Sequence, residues 1–252
     1  MRIAAVGDIH CSKSNLDTLH ASLSQLGAHA DVLLLCGDLV DHGSVDEGRL
    51  LARELATSVR VPVIAVLGNH DFEGGHQGQI KEILEDIGVH VLDGESCEID
   101  GVGFAGVKGF CGGFGARALG AWGEDAIKGF VHEAVNESLK LESALSRLRV
   151  SPRIVVLHYA PIAATVSGEP SEIYPFLGSS RLEEPINRYP VAAVFHGHAH
   201  AGQPEGRTAS GVAVYNVAAP VLQRSFPDHP PFRIIEIESD APKDDAPTAG
   251  NG

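Results

Sequence analysis

Short apolar runs alternate with amphipathic stretches along most of this chain, and each run closes on glycine or a polar residue. Arg2-Ile3-Ala4-Ala5-Val6, Asp31–Cys36, Val61–Leu67, Ile154–Leu157 and Val191–Phe195 have this form, which predicts buried strands. Between them apolar residues recur at helical spacing. Asn15–Ala28 aligns Leu16, Leu19, Leu23 and Leu26, and Ser44–Ser58 aligns Leu50, Leu51 and Leu55. Both predict helices with one inward face. Gln79–Ile87 predicts a shorter helix closed by Gly88, followed by a short strand at Val89–Leu92. Alternating strands and helices of this kind predict an α/β fold.

The second half is less regular. Cys97–Ile99 and Val102–Val107 flank Asp100-Gly101, a hairpin signal. Residues 109–123 are glycine-rich with Phe110, Phe114 and Trp122 among them, and read as a long irregular loop. Glu124–Arg149 predicts a long helix whose inward side carries Ile127, Phe130, Val131, Val135, Leu139, Leu145 and Leu148. Ala163–Leu177 reads as a second loop region. Val212–Val217 and Phe232–Ile237 read as late strands of a second sheet. Residues 239–252 have no apolar period and read as a flexible polar tail.

Five polar motifs sit where the apolar runs end: Asp8-Ile9-His10, Gly37-Asp38-Leu39-Val40-Asp41, Gly68-Asn69-His70-Asp71, His158 and Gly197-His198-Ala199-His200. Ligands of α/β sheets bind beyond the carboxyl ends of their strands, so five strands are expected to deliver Asp, Asn and His to one rim. Each motif alone is weak, because a lone Asp-x-His or Gly-Asp turn arises often by chance. Asp41 and Asp71 read equally well as turn or helix-cap residues. His196 is expected to pack within its strand end, and His42 to line the pocket or face solvent.

Composition narrows the partners. The 252-residue chain carries 19 Lys and Arg against 33 Asp and Glu, a formal net charge of −14. That balance disfavours nucleic acid and anionic lipid as partners. No apolar stretch approaches the length of a membrane span. The first strand begins directly after Met1, and Cys11, Cys36, Cys97 and Cys111 form no CxxC pair. These features lead to the expectation of free thiols and a cytoplasmic location.

Taken together and in order, the motifs resemble those of the calcineurin-like metallophosphoesterase superfamily: D-x-H, G-D-x-x-D, G-N-H-D/E, H and G-H-x-H. The resemblance implies two packed mixed β-sheets flanked by helices, a four-layer αββα sandwich forming one domain over residues 1–238. It implies a two-metal centre with one ion held by Asp8, His10, Asp38 and His200. The other would be held by Asp38, Asn69, His158 and His198, with the Asp38 carboxylate bridging. Mixed imidazole, carboxylate and amide donors suit Mn, Fe or Zn. The implied activity is hydrolysis of a phosphodiester or phosphomonoester by in-line attack of a metal-bridging hydroxide. In that scheme His70 contacts the phosphate or protonates the leaving group, and Asp71 orients its imidazole.

Departures within the family shape the substrate expectation. Ser/Thr protein phosphatases have Arg where this chain has His42, and Glu where it has Asp71, so the resemblance is closer to small bacterial-type phosphodiesterases and phosphatases. The expected partner is a small phosphorylated, nucleotide-like molecule. His42 and Arg117 are candidate substrate contacts, the latter, like Lys108, at the margin of a glycine-rich loop whose backbone N–H groups suit an anion. Two competing readings remain at this point. One is a metal-dependent nuclease; the other is a non-catalytic protein-binding scaffold, whose known relatives have lost the third-motif His or several ligands that this chain keeps.

Overall fold

The computed structural model describes residues 1–26 and 29–238. The expected tail, 239–252, lies outside the described residues. β1 (Arg2–Val6), β2 (Val32–Cys36) and β3 (Val63–Val66) pair in parallel, with the short β4 (His90–Val91) beside β3. Every residue of β2 and β3 is buried, which is why these strands show unbroken apolar runs instead of alternation. The first crossover carries α1 (Leu16–Leu23), whose Leu19 and Leu23 face the core. The second carries α2 (Val45–Ser58), burying Leu51 and Leu55. Its start is fixed by a reciprocal cap: Ser44 Oγ accepts from the Glu47 N–H at 3.3 Å, and Glu47 Oε2 accepts from the Ser44 N–H at 3.2 Å, an arrangement worth about 1 kcal/mol. α3 (Asn69–Glu73) follows β3 and leads into α4 (Gln77–Glu85).

The second sheet opens with the expected hairpin, β5 (Ser96–Ile99) and β6 (Val102–Val107). Asp100 and Gly101 have φ of 48° and 78°, the two positive values a type I′ turn requires. α5 (Asp125–Arg147) then crosses to β7 (Arg153–Leu157). The expected loop at 163–177 is largely helical, with 3₁₀ turns at Ala163–Val166 and Ser171–Ile173 and a single turn, α6 (Tyr174–Leu177). α7 (Glu183–Arg188), β8 (Val191–His196), β9 (Glu205–Arg207), β10 (Ala213–Asn216), α8 (Ala219–Ser225) and β11 (Arg233–Glu236) complete the order. The second sheet runs β5-β6-β7-β8-β10-β9.

β11 departs from expectation. It pairs antiparallel with β1 and closes the edge of the first sheet, not the second. α8 intervenes after β10, and the backbone N–H of Ile237 reaches the Met1 carbonyl at 2.8 Å. Leu139 also departs: it is 57% exposed on α5, while the charged Glu137 takes a buried place. Glu137 is tolerated there because its carboxylate accepts from the Gly109 N–H at 2.7 Å and from Lys140 Nζ at 2.8 Å.

The two sheets pack face to face, β2 and β3 against β6 and β7. Ile64 and Leu35 share their cluster with Phe104, Val156 and Phe195 of the second sheet. On that sheet's outer face, Val107, Val155 and Val194 meet Leu141 and Leu145 of α5. Helix, sheet, sheet, helix is thus the layer order, the four-layer αββα architecture anticipated above. Both parallel sets point their carboxyl ends the same way, so the polar motifs of two sheets meet at one rim.

Candidate metal centre

The motifs leave their strands through turns in which donor residues themselves take up unusual backbone angles. Asp8 (φ 56°), His10 (43°), Asp38 (49°) and His198 (70°) occupy the left-handed region, where a non-glycine residue costs on the order of 1–3 kcal/mol unless its surroundings dictate it. Two motif glycines show what dictates it. A Cβ on Gly68 would lie 2.2 Å from both Asp38 N and Asp38 Oδ1, and one on Gly197 would lie 2.3 Å from Asp8 Oδ2. Glycine therefore lets backbone and carboxylate come together where any side chain would push them apart.

The donor atoms form three overlapping groups: Asp8, His10 and His200; Asp38, His158 and His198; and His10, Asp38 and His70. Within each group the potential ligand atoms lie within 4.8 Å of one another. His200 Nε2 is 2.9 Å from Asp8 Oδ1. His158 Nε2 is 2.9 Å from Asn69 Oδ1 and 3.4 Å from Asp38 Oδ1, and His10 Nε2 is 3.9 Å from Asp38 Oδ2. Asp38 stands in the middle, shared between His10 on one side and His158 on the other.

Backbone carbonyls set which nitrogen two of these imidazoles present. His158 Nδ1 donates to the Cys36 carbonyl at 3.0 Å, and His198 Nε2 donates to the Phe176 carbonyl at 3.1 Å. In its neutral form His158 then presents a bare Nε2 lone pair to Asn69 and Asp38, which offer lone pairs of their own. Such convergence of acceptors is unfavourable alone and suits a cation, and an N–H given to a carbonyl is the usual way a ligand His is oriented. Burial, compounded by nearby His158, lowers His198 to about 3. Burial also lowers His10, against the pull of Asp38 and Asp8. Both are thereby kept as neutral imidazoles, the form that binds metal. Burial is the largest influence on Asp8 and opposes its charge, but the His200 hydrogen bond, the nearby His158 and His200 and the His198 N–H together outweigh it and hold the carboxyl below its ordinary range. The donor set and its orientation fit divalent ions.

A family model for calcineurin-like phosphoesterases matches residues 1–202. The chain belongs to the calcineurin-like phosphoesterase family. It is accordingly a phosphoric ester hydrolase by family, and divalent metals are the cofactors that family uses. No curated protein matches the chain. Among solved structures, the phosphopantetheinyl hydrolase PptH from Mycobacterium tuberculosis aligns with a TM-score of 0.67 at 15% identity, covering 92% of this chain and 95% of its own. TT1561 of Thermus thermophilus aligns at 0.55 and 16% identity, covering 87% and 90%. A putative 5'-nucleotidase from Staphylococcus aureus, solved with alpha-ketoglutarate, aligns at 0.51 and 17% identity, covering 85% of this chain and 48% of that one. At these identities the likeness is one of fold.

Within this calcineurin-like site, His70 sits at the mouth. Its ring meets that of His10 edge-on at 4.5 Å, and its Nδ1 donates to the Asp41 carbonyl at 2.7 Å. Burial disfavours the imidazolium, but that bond and the nearby Asp38 carboxylate prevail, so its pKa is raised. Asp71 does not orient the ring as expected. Its buried carboxylate accepts from the N–H groups of Leu39 (3.0 Å), Val40 (2.9 Å) and Gly68 (2.6 Å). It ties the second motif to the third. Neighbouring residues on a helix diverge, so Asp71 faces inward while His70 faces out. Burial lifts Asp71 to about 6 although the three backbone bonds hold it down.

Asp41 lies beside His10, with Oδ1 3.4 Å from Nδ1. His42 is exposed, its nearest charged partners being Asp41 and Glu73 at 3.5 and 3.9 Å. Arg117 stands exposed on a 3₁₀ turn; among the described residues no hydrogen bond or ion pair joins it to the centre. His196 is buried as expected, its Nδ1 donating to the Gly197 carbonyl at 2.8 Å, and burial lowers it to about 4. The sequence reading missed the supports of the last motif. Asn216 Nδ2 donates to the Ala199 carbonyl at 2.8 Å, and Arg224 donates to the carbonyls of His200 and Gly202, both at 2.8 Å. A polar residue at a strand end, Asn216 after Tyr215, was the available signal. Tyr159, next to His158, packs its ring 4.5 Å from that of His198.

Proposed function

We propose that this chain is a binuclear metal-dependent phosphoesterase acting on a small organic phosphoester. Asp8, His10, Asp38 and His200 would hold one ion, and Asp38, Asn69, His158 and His198 the other, with Asp38 common to both. The mixed imidazole, carboxylate and amide donors favour Mn, Fe or Zn over Mg. When bound, such a pair supplies Lewis-acid stabilisation of phosphoryl charge and an activated water.

The protein's own residues do the rest. The carbonyl-anchored imidazoles of His158 and His198 keep their donor atoms in place without relying on the ions. Asp71 locks the two turns that carry Asp38 and Asn69. His70, its Nδ1 proton engaged by the Asp41 carbonyl, can give the proton on Nε2 to the departing alkoxide. Hydrolysis then consumes one water and yields an alcohol and a phosphate, or a phosphomonoester from a diester. The neighbours named as a phosphopantetheinyl hydrolase and a putative 5'-nucleotidase are consistent with small substrates, and the net charge of −14 weighs against nucleic acid.

The observation that carries this reading is the gathering of Asp8, His10 and His200 into one group and of Asp38, His158 and His198 into another, the two joined by the group of His10, Asp38 and His70. It is tested by loading the purified protein with Mn²⁺, Fe²⁺ or Zn²⁺, counting bound metal, and assaying a panel of mono-, di- and cyclic phosphates. The reading requires close to two ions per chain and metal-dependent turnover of at least one ester. Metal-free protein as active as loaded protein would overturn it.

A further inference from the structure

Beside the centre runs a groove of about 470 Å³ whose wall includes Asp8 and His10. One side is α1 and the turn after it, giving Leu19, Leu23 and Leu26; the other is α8 and the segment beyond, giving Leu222, Phe226 and Phe232. Its volume lies within the range of ligand sites, which are mostly apolar with a few polar groups at one place. Here Asp8 and His10 lie at the end shared with the centre, and Asn15, Thr18, Ser22, Gln223 and His229 are the other polar residues of the lining. Apart from Asp8, His10 and His229, no lining residue has an ionisable side chain, and none is Lys or Arg.

We propose that this groove binds an uncharged, apolar arm of the substrate, an alkyl or acyl chain attached to the phosphate. The groove rests on the phosphoesterase reading for the position of the phosphate, and deepens it by naming the arm. Continuity decides the occupant. A group whose phosphorus lies at the cluster has the mouth of the groove beside it, because the same Asp8 and His10 border both. Chemistry decides the class: without Lys or Arg the groove offers no permanent positive charge to a second phosphate, so nucleoside polyphosphates and nucleic acid are poor occupants. An apolar chain, in contrast, leaves water for a leucine- and phenylalanine-lined wall, a gain of roughly two- to fourfold in affinity for each methylene buried.

The test uses the metal-loaded protein with alkyl phosphates and alkyl p-nitrophenyl phosphates of one, four and eight carbons. The proposal requires kcat/KM to rise with chain length, by about a hundredfold or more from methyl to octyl at the lower per-methylene gain, if all seven added methylenes are buried. Tryptophan placed at the exposed groove positions, Thr18→Trp on α1 and Gln223→Trp on α8, should bring the octyl-to-methyl ratio toward one. Thr57→Trp, exposed on α2 away from the groove, should keep the wild-type ratio. Thermal melting confirms that each variant is folded. Calorimetry with octyl and methyl phosphate reads the groove without turnover: octyl phosphate should bind more tightly with a more negative heat-capacity change. Hydrolysis independent of chain length overturns the groove and leaves the phosphoesterase standing. No hydrolysis of any ester, with octyl phosphate still preferred in the titration, overturns the phosphoesterase and leaves the groove. Equal binding of the two phosphates ends the proposal.

Discussion

Two sets of loops follow the carboxyl ends of the strands, and their backbones differ in kind. In the motif turns, positive φ falls on Asp8, His10, Asp38 and His198 as well as on Gly37; in the 109–123 crossover it falls on glycine alone, at Gly109, Gly112, Gly113, Gly115 and Gly123. The crossover satisfies itself: glycine takes the left-handed positions at no steric cost, Gly109 is anchored by Glu137 and Gly112 N–H by the Pro175 carbonyl at 2.7 Å, and Phe110 packs on Phe130 with ring centroids 5.1 Å apart. The motif turns instead hold strained residues against one another, with Asp71 and the Cys36 and Phe176 carbonyls as braces. Both regions are glycine-rich. The two differ in that strain in the motif turns rests on residues that carry potential donor atoms.

Substitutions can break that contrast. The largest effect is expected for Asp38→Ala, which removes the carboxylate proposed to be common to both ions. Paired metal binding should be lost, and kcat/KM should fall by more than the 10–100-fold typical of outer supports, read by metal analysis and kinetics on the same preparation. Retained stoichiometry would show that Asp38 is not central. His70→Ala comes next: turnover should drop by about 10²–10⁴-fold while bound metal is unchanged. Loss of metal in that variant would make His70 a ligand, as its place in the group with His10 and Asp38 allows.

On the crossover side, Glu137→Ala leaves the Gly109 N–H without its acceptor and is expected to lower stability by about 1–3 kcal/mol, seen as a lower Tm with metal content intact. A fall in metal content would show that the two regions are coupled. The smallest effect is expected for Arg117→Ala. Exposed and without a contact to the centre, Arg117 should change stability by no more than about 0.5 kcal/mol and leave KM unaltered. A raised KM would restore it to the substrate pocket.

What the sequence disclosed follows the same division. Strand ends and donor residues were legible because local apolar runs and side-chain identity are written directly in the chain. The orienting carbonyls of Cys36, Asp41 and Phe176 were not, since a backbone oxygen has no residue signature and its partner lies far away in sequence. Asp71 was misassigned because adjacency in sequence was read as contact, although successive helical side chains point apart. β11 was given to the wrong sheet because pairing with β1 depends on contacts spanning nearly the whole chain. Leu139 and Glu137 exchanged their expected places on α5, as the need to anchor Gly109 outweighed the apolar period. The groove between α1 and α8 was invisible for a further reason: α8 itself was unrecognised.

Anomalous diffraction from crystals soaked in Mn²⁺ addresses the pairing of ions around Asp38 most directly. Two peaks about 3.5–4 Å apart, flanking the Asp38 carboxylate with His10 and His200 on one side and His158 and His198 on the other, are the expected result. A single peak, or two on surface carboxylates remote from these side chains, would contradict it.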